Sequence, residues 1–177
     1  LIFRATQERY PPGSIFKIIS GLALLENGLD PAKHIQCRGS YRIGRRTINC
    51  TANPGLYDFK RAFKHSCNSY FIHHAVSQEH GIKHIIKIGE QFHLGERTGL
   101  LPEQETAGQF PSLKDVSQGW SDGDTANLAF GQGPITVTPL QMALMTVAIA
   151  NGGTLYYPRI VSRIESQDTN LVGSAIR

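Results

Sequence analysis

A Pro-Pro-Gly turn followed at once by a helical pattern is the feature that most constrains this chain. Residues 11–13 form the turn, and the next apolar residues recur at the spacing of one helix face, at Ile15, Ile18, Ile19, Leu22 and Leu25. The pattern predicts a helix that begins at Ser14 and buries that face. It should end near Asn27 and Gly28, because glycine readily takes the left-handed cap position.

Ser14 and Lys17 lie three positions apart in this predicted helix. Residues at that spacing share one side of a helix, so the hydroxyl and the amine can meet. A lysine that burial keeps neutral can take the proton of a serine hydroxyl and turn it into a nucleophile. The sequence from Ser14 to Lys17 is also typical of a helix N-cap followed by a solvated lysine.

Length, charge and apolar runs argue against a nucleic-acid-binding protein and against a membrane-spanning segment in these residues. The 177 residues suit one domain or most of one, and the net charge is only +4. Basic residues are scattered apart from a short run, and no glycine loop suits a phosphate, which argues against nucleic-acid binding. That run consists of Arg42, Arg45 and Arg46. The longest apolar stretch, Met142–Ala150, is too short to span a bilayer.

The three cysteines allow three readings. Residues 35–50 predict a β-hairpin, and if Ile43 and Gly44 form its loop, Cys37 and Cys50 lie directly opposite each other. That suggests a disulfide in an oxidising compartment. A metal site shared with Cys67 is the alternative, and three ordinary buried cysteines is the third reading.

A second serine motif lies in the next predicted helix. Asp58 is typical of an N-cap, and the helix after it would carry on one face Phe59, Ala62, Phe63, Cys67 and Phe71. Ser66-Cys67-Asn68 falls within this helix. A Ser-x-Asn sequence is by itself usually local capping.

The second half of the chain begins with an irregular segment. Residues 96–124 are rich in Gly, Pro, Ser and Asp and predict a long irregular or functional loop. Thr138-Pro139 predicts the start of a buried helix that runs to Ala150. Thr154–Tyr157 and Ile160–Ile164 predict short strands.

Together these motifs resemble those of the penicillin-binding transpeptidases. Ser14-x-x-Lys17 is followed after about fifty residues by Ser66-x-Asn68, in the order known for that family. Further stretches resemble its class B branch, and most of all the cell-elongation members. They are Thr98-Gly-Leu-Leu-Pro-Glu103, Gly123-Asp124, Phe130-Gly-Gln-Gly133, Val137-Thr-Pro-Leu-Gln-Met-Ala143 and Ala150-Asn-Gly-Gly153.

The resemblance implies an α+β fold of the transpeptidase and serine β-lactamase type, with residues 1–177 as one incomplete transpeptidase domain. They would form its mostly α-helical subdomain, with a β-hairpin and a few short strands. Ser14 would attack the D-Ala-D-Ala amide of a peptidoglycan stem peptide, and Lys17 would take its proton. Ser66 would relay a proton at the leaving group, and Asn68 would hold Lys17 and bind the substrate amide. The N–H of Ser14 would form half of an oxyanion hole, and β-lactams would acylate Ser14 as substrate mimics.

The sequence departs from the family in two places. No Lys-Thr-Gly follows the Thr138 helix, and Arg97-Thr98-Gly99 falls too early to replace it. Its strand and most of the central sheet are therefore expected outside these residues, and the 177-residue chain alone is expected to be inactive. Some elongation-branch members have a zinc site to which Cys37, Cys50 and Cys67 look similarly placed. The expected His-Gly pair is Pro54-Gly55 here, which favours the Cys37–Cys50 disulfide.

The resemblance also implies location and partners. The protein would act at the periplasmic face of the inner membrane, anchored by a segment absent here, with a membrane glycosyltransferase and elongation-complex partners. The reaction would need no cofactor, with a structural zinc as an open alternative. A β-lactamase or β-lactam sensor would share the nucleophile, but no further carboxylate is placed to activate water. A non-catalytic cell-wall scaffold would not need Ser14, Lys17, Ser66 and Asn68 together.

Overall fold

Helices and two small antiparallel sheets make up residues 2–162, the part of the chain that this computed structural model describes. The helices are α1 (Arg4–Gln7), α2 (Lys17–Glu26), α3 (Phe59–Lys64), α4 (Asn68–Ser77), α5 (Gly81–Gln91), α6 (Leu113–Ser117), α7 (Asp122–Leu128) and α8 (Pro139–Ala150). The strands are β1 (Ile35–Cys37), β2 (Ser40–Ile43), β3 (Arg46–Asn49) and β4 (Gly55–Tyr57). Short 3-10 turns cover Gly13–Phe16 and Pro102–Gln104. This confirms the prediction of a mostly helical α+β chain.

Helix α2 lies at the centre and packs against both α4 and α5. The core there consists of fully buried side chains, among them Phe16, Ile19, Leu24, Tyr70, Phe71, Ile72 and Ile85. Burial of each large apolar side chain contributes roughly 1.5–3 kcal/mol, so this junction gives the site a stable support. α2 ends as predicted, with Asn27 as its cap and Gly28 at a φ of +85°.

The predicted buried face of this helix is partly wrong. Ile15 and Leu25 are exposed, and the buried side runs instead through Phe16, Ile19 and Ala23. The first turn is a 3-10 turn, with three residues per turn rather than 3.6, so it rotates the following side chains relative to a regular α-helix.

The predicted second helix is broken in two. α3 begins after Asp58, whose side chain accepts a hydrogen bond from the N–H of Arg61 as predicted. The helix stops at Lys64, and Ser66 has a φ of +54°, a left-handed value that no regular helix contains. Asn68 then starts α4. The Ser-x-Asn motif therefore lies on a break between two helices.

The predicted hairpin register is wrong. β2 pairs with β3 so that Ser40 lies opposite Asn49, and Cys37 lies opposite Gly55 in the separate β1–β4 pair. The hairpin turn consists of residues 44 and 45, because Gly44 takes a φ of +54° where two-residue loops favour glycine. Cys37 and Cys50 are thus not cross-strand neighbours, and all three cysteines are free thiols. The favoured Cys37–Cys50 disulfide is absent from the described residues.

Helix α8 starts as predicted. The Thr138 hydroxyl accepts a hydrogen bond from the N–H of Gln141, and the Gln141 side chain accepts one from the N–H of Thr138. Its predicted burial is only half right, because Val147 and Ile149 are exposed among residues 2–162. The helix packs against α1, and the face that carries Val147 and Ile149 stays exposed.

The end of the described chain differs from the prediction. Thr154–Tyr157 is not a strand, because the Asn151 side chain exchanges two hydrogen bonds with the backbone of Thr154 and closes a turn instead. The other predicted strand, Ile160–Ile164, extends beyond the described residues. Between residues 2 and 162 no helix combines the length and apolarity needed to cross a bilayer.

Candidate active site

Four side chains named from the sequence meet at one point of the structure. Lys17 Nζ lies 3.2 Å from Ser14 Oγ, 2.8 Å from Ser66 Oγ and 2.6 Å from Asn68 Oδ1. The Ser66 hydroxyl donates a hydrogen bond to Ser14 Oγ at 2.9 Å. Residues about fifty positions apart in sequence thus form one continuous hydrogen-bonded group.

The backbone turn before α2 presents Ser14 to solvent. Ser14 is exposed, whereas Phe16 and Lys17 on the inner side are buried. The N–H of Gly13 donates to the carbonyl of Gly131 at 2.9 Å, which fixes the turn against the loop after α7. Gly131 has a φ of +75°, and a Cβ there would lie 2.2 Å from the Gly13 carbonyl oxygen, so only glycine allows this approach.

Burial changes the acidity of Lys17. Its side chain is 2% exposed, and desolvation lowers the pKa of Lys17 to about 8, although nearby Cys50 and Cys67 act in the opposite direction. The ring of Phe71 lies 5.8 Å from Nζ and helps to exclude water. With this pKa about a tenth of Lys17 is the neutral amine at pH 7 and about half at pH 8, and the neutral amine is the form that can act as a base.

Lys17 has more acceptors than hydrogens. Besides Ser14 Oγ, Ser66 Oγ and Asn68 Oδ1, the Ser66 carbonyl accepts from Nζ at 2.8 Å. An ammonium has three hydrogens and a neutral amine has two, so at least one of these four contacts carries no lysine hydrogen. The contact with Ser14 is the longest, and it is the one in which an amine lone pair can face a serine hydroxyl.

The end of strand β3 and the residues just after it supply two contacts that sequence reasoning missed. The side-chain amide of Asn68 donates to the carbonyl of Asn49 at 3.1 Å, and the hydroxyl of Thr51 donates to the carbonyl of Ser66 at 3.1 Å. No pattern in the sequence signals these contacts, since both have a main-chain carbonyl as acceptor and Thr51 is exposed to solvent.

The three cysteines gather beside this group. The sulfur atoms of Cys37, Cys50 and Cys67 all lie within 4.8 Å of one another, and Cys50 Sγ is 3.6 Å from Cys67 Sγ. The hydrogen bond between these two thiols lowers the pKa of Cys50 and raises that of Cys67. Three thiols at this spacing fit three corners of a tetrahedral zinc site with Zn–S bonds of about 2.3 Å.

The cluster lacks the fourth protein ligand that a structural zinc site normally has. Among the described residues the cluster contains no further His, Asp or Glu. Pro54, at the position where the resemblance expects histidine, offers no side-chain ligand. The chain's own residues thus provide a three-thiol site.

A cavity of about 220 Å³ lies elsewhere, between the end of α5, helix α8 and the segment after it. Its lining includes Phe92, Arg97 and Leu144 but not Ser14, Lys17, Ser66 or Asn68. This cavity is therefore separate from the hydrogen-bonded group around Ser14.

Comparisons with known proteins agree on one family. A family model described as the penicillin binding protein transpeptidase domain matches residues 1–176. Peptidoglycan D,D-transpeptidase MrdA of Acinetobacter baumannii is 30% identical over 167 residues, which cover 89% of this chain and 25% of that protein. The chain spans about a quarter of the length of the curated relatives it matches.

Solved structures match at similar identity. The complex between Penicillin-Binding Protein (PBP2) and MreC from Helicobacter pylori aligns with a TM-score of 0.78 and 31% identity, over 88% of this chain and 30% of that one. Penicillin binding protein 3 from Mycobacterium tuberculosis, complexed with aztreonam, aligns with a TM-score of 0.76 and 32% identity, over 90% of this chain and 35% of that one.

Proposed function

Because this chain belongs to the penicillin-binding protein transpeptidase family, we propose that the whole protein is a serine acyltransferase that cross-links peptidoglycan stem peptides. One observation carries the proposal: the exposed Ser14 hydroxyl lies 3.2 Å from the buried amine of Lys17, with Ser66 in contact with both. The printed name of the Acinetobacter baumannii relative, a peptidoglycan D,D-transpeptidase, supports the choice of substrate.

In the first half-reaction, Ser14 Oγ attacks the carbonyl carbon of the D-Ala-D-Ala amide while neutral Lys17 takes its proton. The N–H of Ser14 donates to the oxygen that becomes negative. The C–N bond then breaks, and the proton reaches the leaving amine of D-Ala through the Ser66 hydroxyl. Ser14 is left as an ester of the stem peptide.

In the second half-reaction, the amine of another stem peptide attacks this ester. Lys17 and Ser66 take and return the proton in the reverse order, and Ser14 regains its hydroxyl as the cross-link forms. A β-lactam follows only the first half, because its opened ring remains attached and blocks the second amine. The aztreonam complex of the Mycobacterium tuberculosis relative is in line with this behaviour.

A further part of the proposal concerns the partners and the location of the protein. The Helicobacter pylori relative was solved in complex with MreC, and we propose that this protein likewise works within a cell-elongation complex with a membrane glycosyltransferase. Its substrate lies outside the cytoplasm, so we place the domain at the periplasmic face of the inner membrane, held there by an anchor elsewhere in the protein.

The thiol cluster has a separate proposed role. Cys37, Cys50 and Cys67 would hold a structural zinc ion, which supplies a cross-link between the hairpin and the start of α4 and takes no part in acyl transfer. The donor set supports this proposal, since thiolates are preferred ligands of zinc.

The test is acylation of the whole protein by a fluorescent penicillin. The wild type should become labelled on Ser14, as located by peptide mass spectrometry, and Ser14→Ala should not. Ser117→Ala, at an exposed serine of α6 whose hydroxyl donates only to the carbonyl of Lys114, is the matched control and should still label. Labelling of Ser14→Ala to the wild-type extent would contradict the proposal.

Two further measurements complete the test. A β-lactamase would release the label within seconds, so an acyl-enzyme that persists for many minutes separates the two functions. The 177-residue chain on its own should not label, and rapid labelling of Ser14 in it would show that the missing Lys-Thr-Gly strand is dispensable.

A further inference from the structure

The segment Asn49-Cys50-Thr51 runs antiparallel to Ser66-Cys67-Asn68, and the two segments contact each other residue by residue. Asn49 contacts Asn68, Cys50 contacts Cys67, and Thr51 contacts Ser66. The pairs run in opposite directions along the two segments, as in antiparallel strands, although every contact involves at least one side chain. Each residue of the second serine motif thus has one partner in the segment 49–51.

We propose that residues 49–51, which we call the strap, position the Ser66-x-Asn68 motif for catalysis, and that Thr51 is the positioning residue that holds Ser66. This inference rests on the proposed function, because it assigns the strap a part in acylation of Ser14.

The backbone of Ser66 explains why a positioning residue is needed. Its φ of +54° lies in a region that L-residues other than glycine seldom adopt, so surrounding contacts must hold it there. The Ser66 carbonyl receives two hydrogen bonds, one from Lys17 Nζ at 2.8 Å and one from Thr51 Oγ1 at 3.1 Å. This conformation also places Ser66 Oγ 2.9 Å from Ser14 Oγ.

The two donors differ during the reaction. Lys17 gains and loses a proton in each half-reaction, so the number of hydrogens it can offer Ser66 changes from step to step. The hydroxyl of Thr51 does not titrate in this range and can donate at every step. Thr51 therefore donates to the Ser66 carbonyl whatever the protonation state of Lys17.

The other end of the strap orients the amide of Asn68. Because Nδ2 donates to the carbonyl of Asn49, Oδ1 is left to face Lys17 Nζ at 2.6 Å. The strap itself is held by the hairpin, since the N–H of Cys50 donates to the carbonyl of Gly39 at 2.9 Å. Both polar residues of the motif are thus fixed to one anchored segment.

The experiment compares Thr51→Val, which removes the hydroxyl at nearly constant volume, with Thr51→Ser, which keeps it. Thr47→Val, an exposed threonine on strand β3 of the same hairpin, is the matched control. The whole protein is mixed with benzylpenicillin over a range of concentrations, which separates the limiting acylation rate from the dissociation constant of the initial complex.

Thr51→Val should lower the limiting rate about fivefold to tenfold, the effect of one lost hydrogen bond, and change the dissociation constant by less than about twofold. Thr51→Ser and Thr47→Val should acylate like the wild type. A wild-type limiting rate for Thr51→Val would overturn the inference, as would an equal loss in Thr47→Val.

Hydrogen exchange gives a readout that does not need acylation. The N–H groups of Ser66 and Cys67 donate to the carbonyls of Phe63 and Ala62, so they should exchange faster in Thr51→Val and not in Thr47→Val. Unchanged exchange in Thr51→Val would overturn the proposal that the strap positions Ser66. A wild type that is never acylated would refute the proposed function instead, and exchange would still decide whether Thr51 holds Ser66.

Discussion

The Nζ atom of Lys17 lies 2.6 Å from Oδ1 of Asn68, 51 positions further along the chain. This contact joins the start of α2 to the start of α4 and brings the two serine motifs into one group. Lys17 is almost fully buried there, so its amine needs hydrogen-bond acceptors within the protein, and Asn68 Oδ1 is one of them.

Replacing Lys17 should stop acylation while the protein stays folded. Lys17→Met removes the base, and Lys17→Arg keeps a positive charge that does not dissociate near neutral pH. Each should lower the acylation rate by a benzylpenicillin probe at least about 100-fold, since loss of a general base costs that much or more. Lys60→Met, at an exposed lysine, should acylate normally. Near-normal acylation of Lys17→Met would show that another group takes the proton.

Acylation should increase with pH. Burial lowers the pKa of Lys17 to about 8, and the neutral amine is the reactive form, so the rate should rise as pH increases through about 8 and level off above it. Rates of benzylpenicillin acylation measured between about pH 6 and pH 10 check this. A rate that stays constant over that range would mean that Lys17 is not the base.

Gly131→Ala should disturb the turn that presents Ser14. The new Cβ would meet the Gly13 carbonyl oxygen at 2.2 Å and would also strain the left-handed backbone. Gly152→Ala is the matched control, because its φ is +86° and no atom lies within 4 Å of its Cβ position. Thermal unfolding and penicillin labelling should both be impaired in Gly131→Ala, whereas Gly152→Ala should show only the smaller effect of backbone strain. Equal effects of Gly131→Ala and Gly152→Ala would contradict the close approach of Gly131 to the Gly13 carbonyl.

Glu105→Gln should destabilise the long segment between α5 and α6. The buried Glu105 carboxylate accepts hydrogen bonds from the N–H and hydroxyl of Thr98 and from the N–H groups of Gly99 and Leu101. In glutamine one of the two accepting oxygens is replaced by an NH₂ group, which cannot accept these hydrogen bonds. The free energy of unfolding should therefore fall by about 2 kcal/mol. Glu103→Gln, at an exposed neighbour, should have little effect.

The effect of Glu105 should depend on pH. Burial raises its pKa, but the hydrogen bond from Leu101 and those from Thr98 and Gly99 outweigh it, and the pKa lies below its ordinary value of 4.5. The stabilisation is therefore complete above 4.5 and is lost as pH falls through the lower folded-state pKa. Urea unfolding of the wild type and Glu105→Gln should differ most near neutral pH and converge in acid. A difference that persists in acid would point to packing instead.

The cysteine cluster should bind metal rather than form a disulfide. We expect about one zinc ion per chain, with all three thiols slow to react with a thiol reagent until a chelator removes the metal. Cys37→Ser should lower the zinc content, and His80→Ala, at an exposed histidine outside the cluster, should not. One free thiol per chain without zinc would instead support a disulfide.

The sequence by itself was sufficient for features that depend on near neighbours. The Ser14–Lys17 spacing, the Asp58 cap, the end of α2 at Gly28 and the Thr138 start of α8 all follow from interactions within a few residues. The structure brings the four candidate site residues together, but the sequence singled them out only because two motifs occurred in the order of a known family. Their roles in catalysis stay predictions until acylation is measured.

Tertiary structure decided everything that depends on partners distant in sequence. The hairpin register, the left-handed Ser66 that splits the predicted helix, and the contacts of Asn49 and Thr51 with the second motif could not be read from spacing. Glu105 was missed because its role depends on how a loop folds back over its carboxylate. The physical reason is that local patterns determine which backbone conformations are favourable, whereas packing determines which of them bring a buried amine, two hydroxyls and an amide into contact.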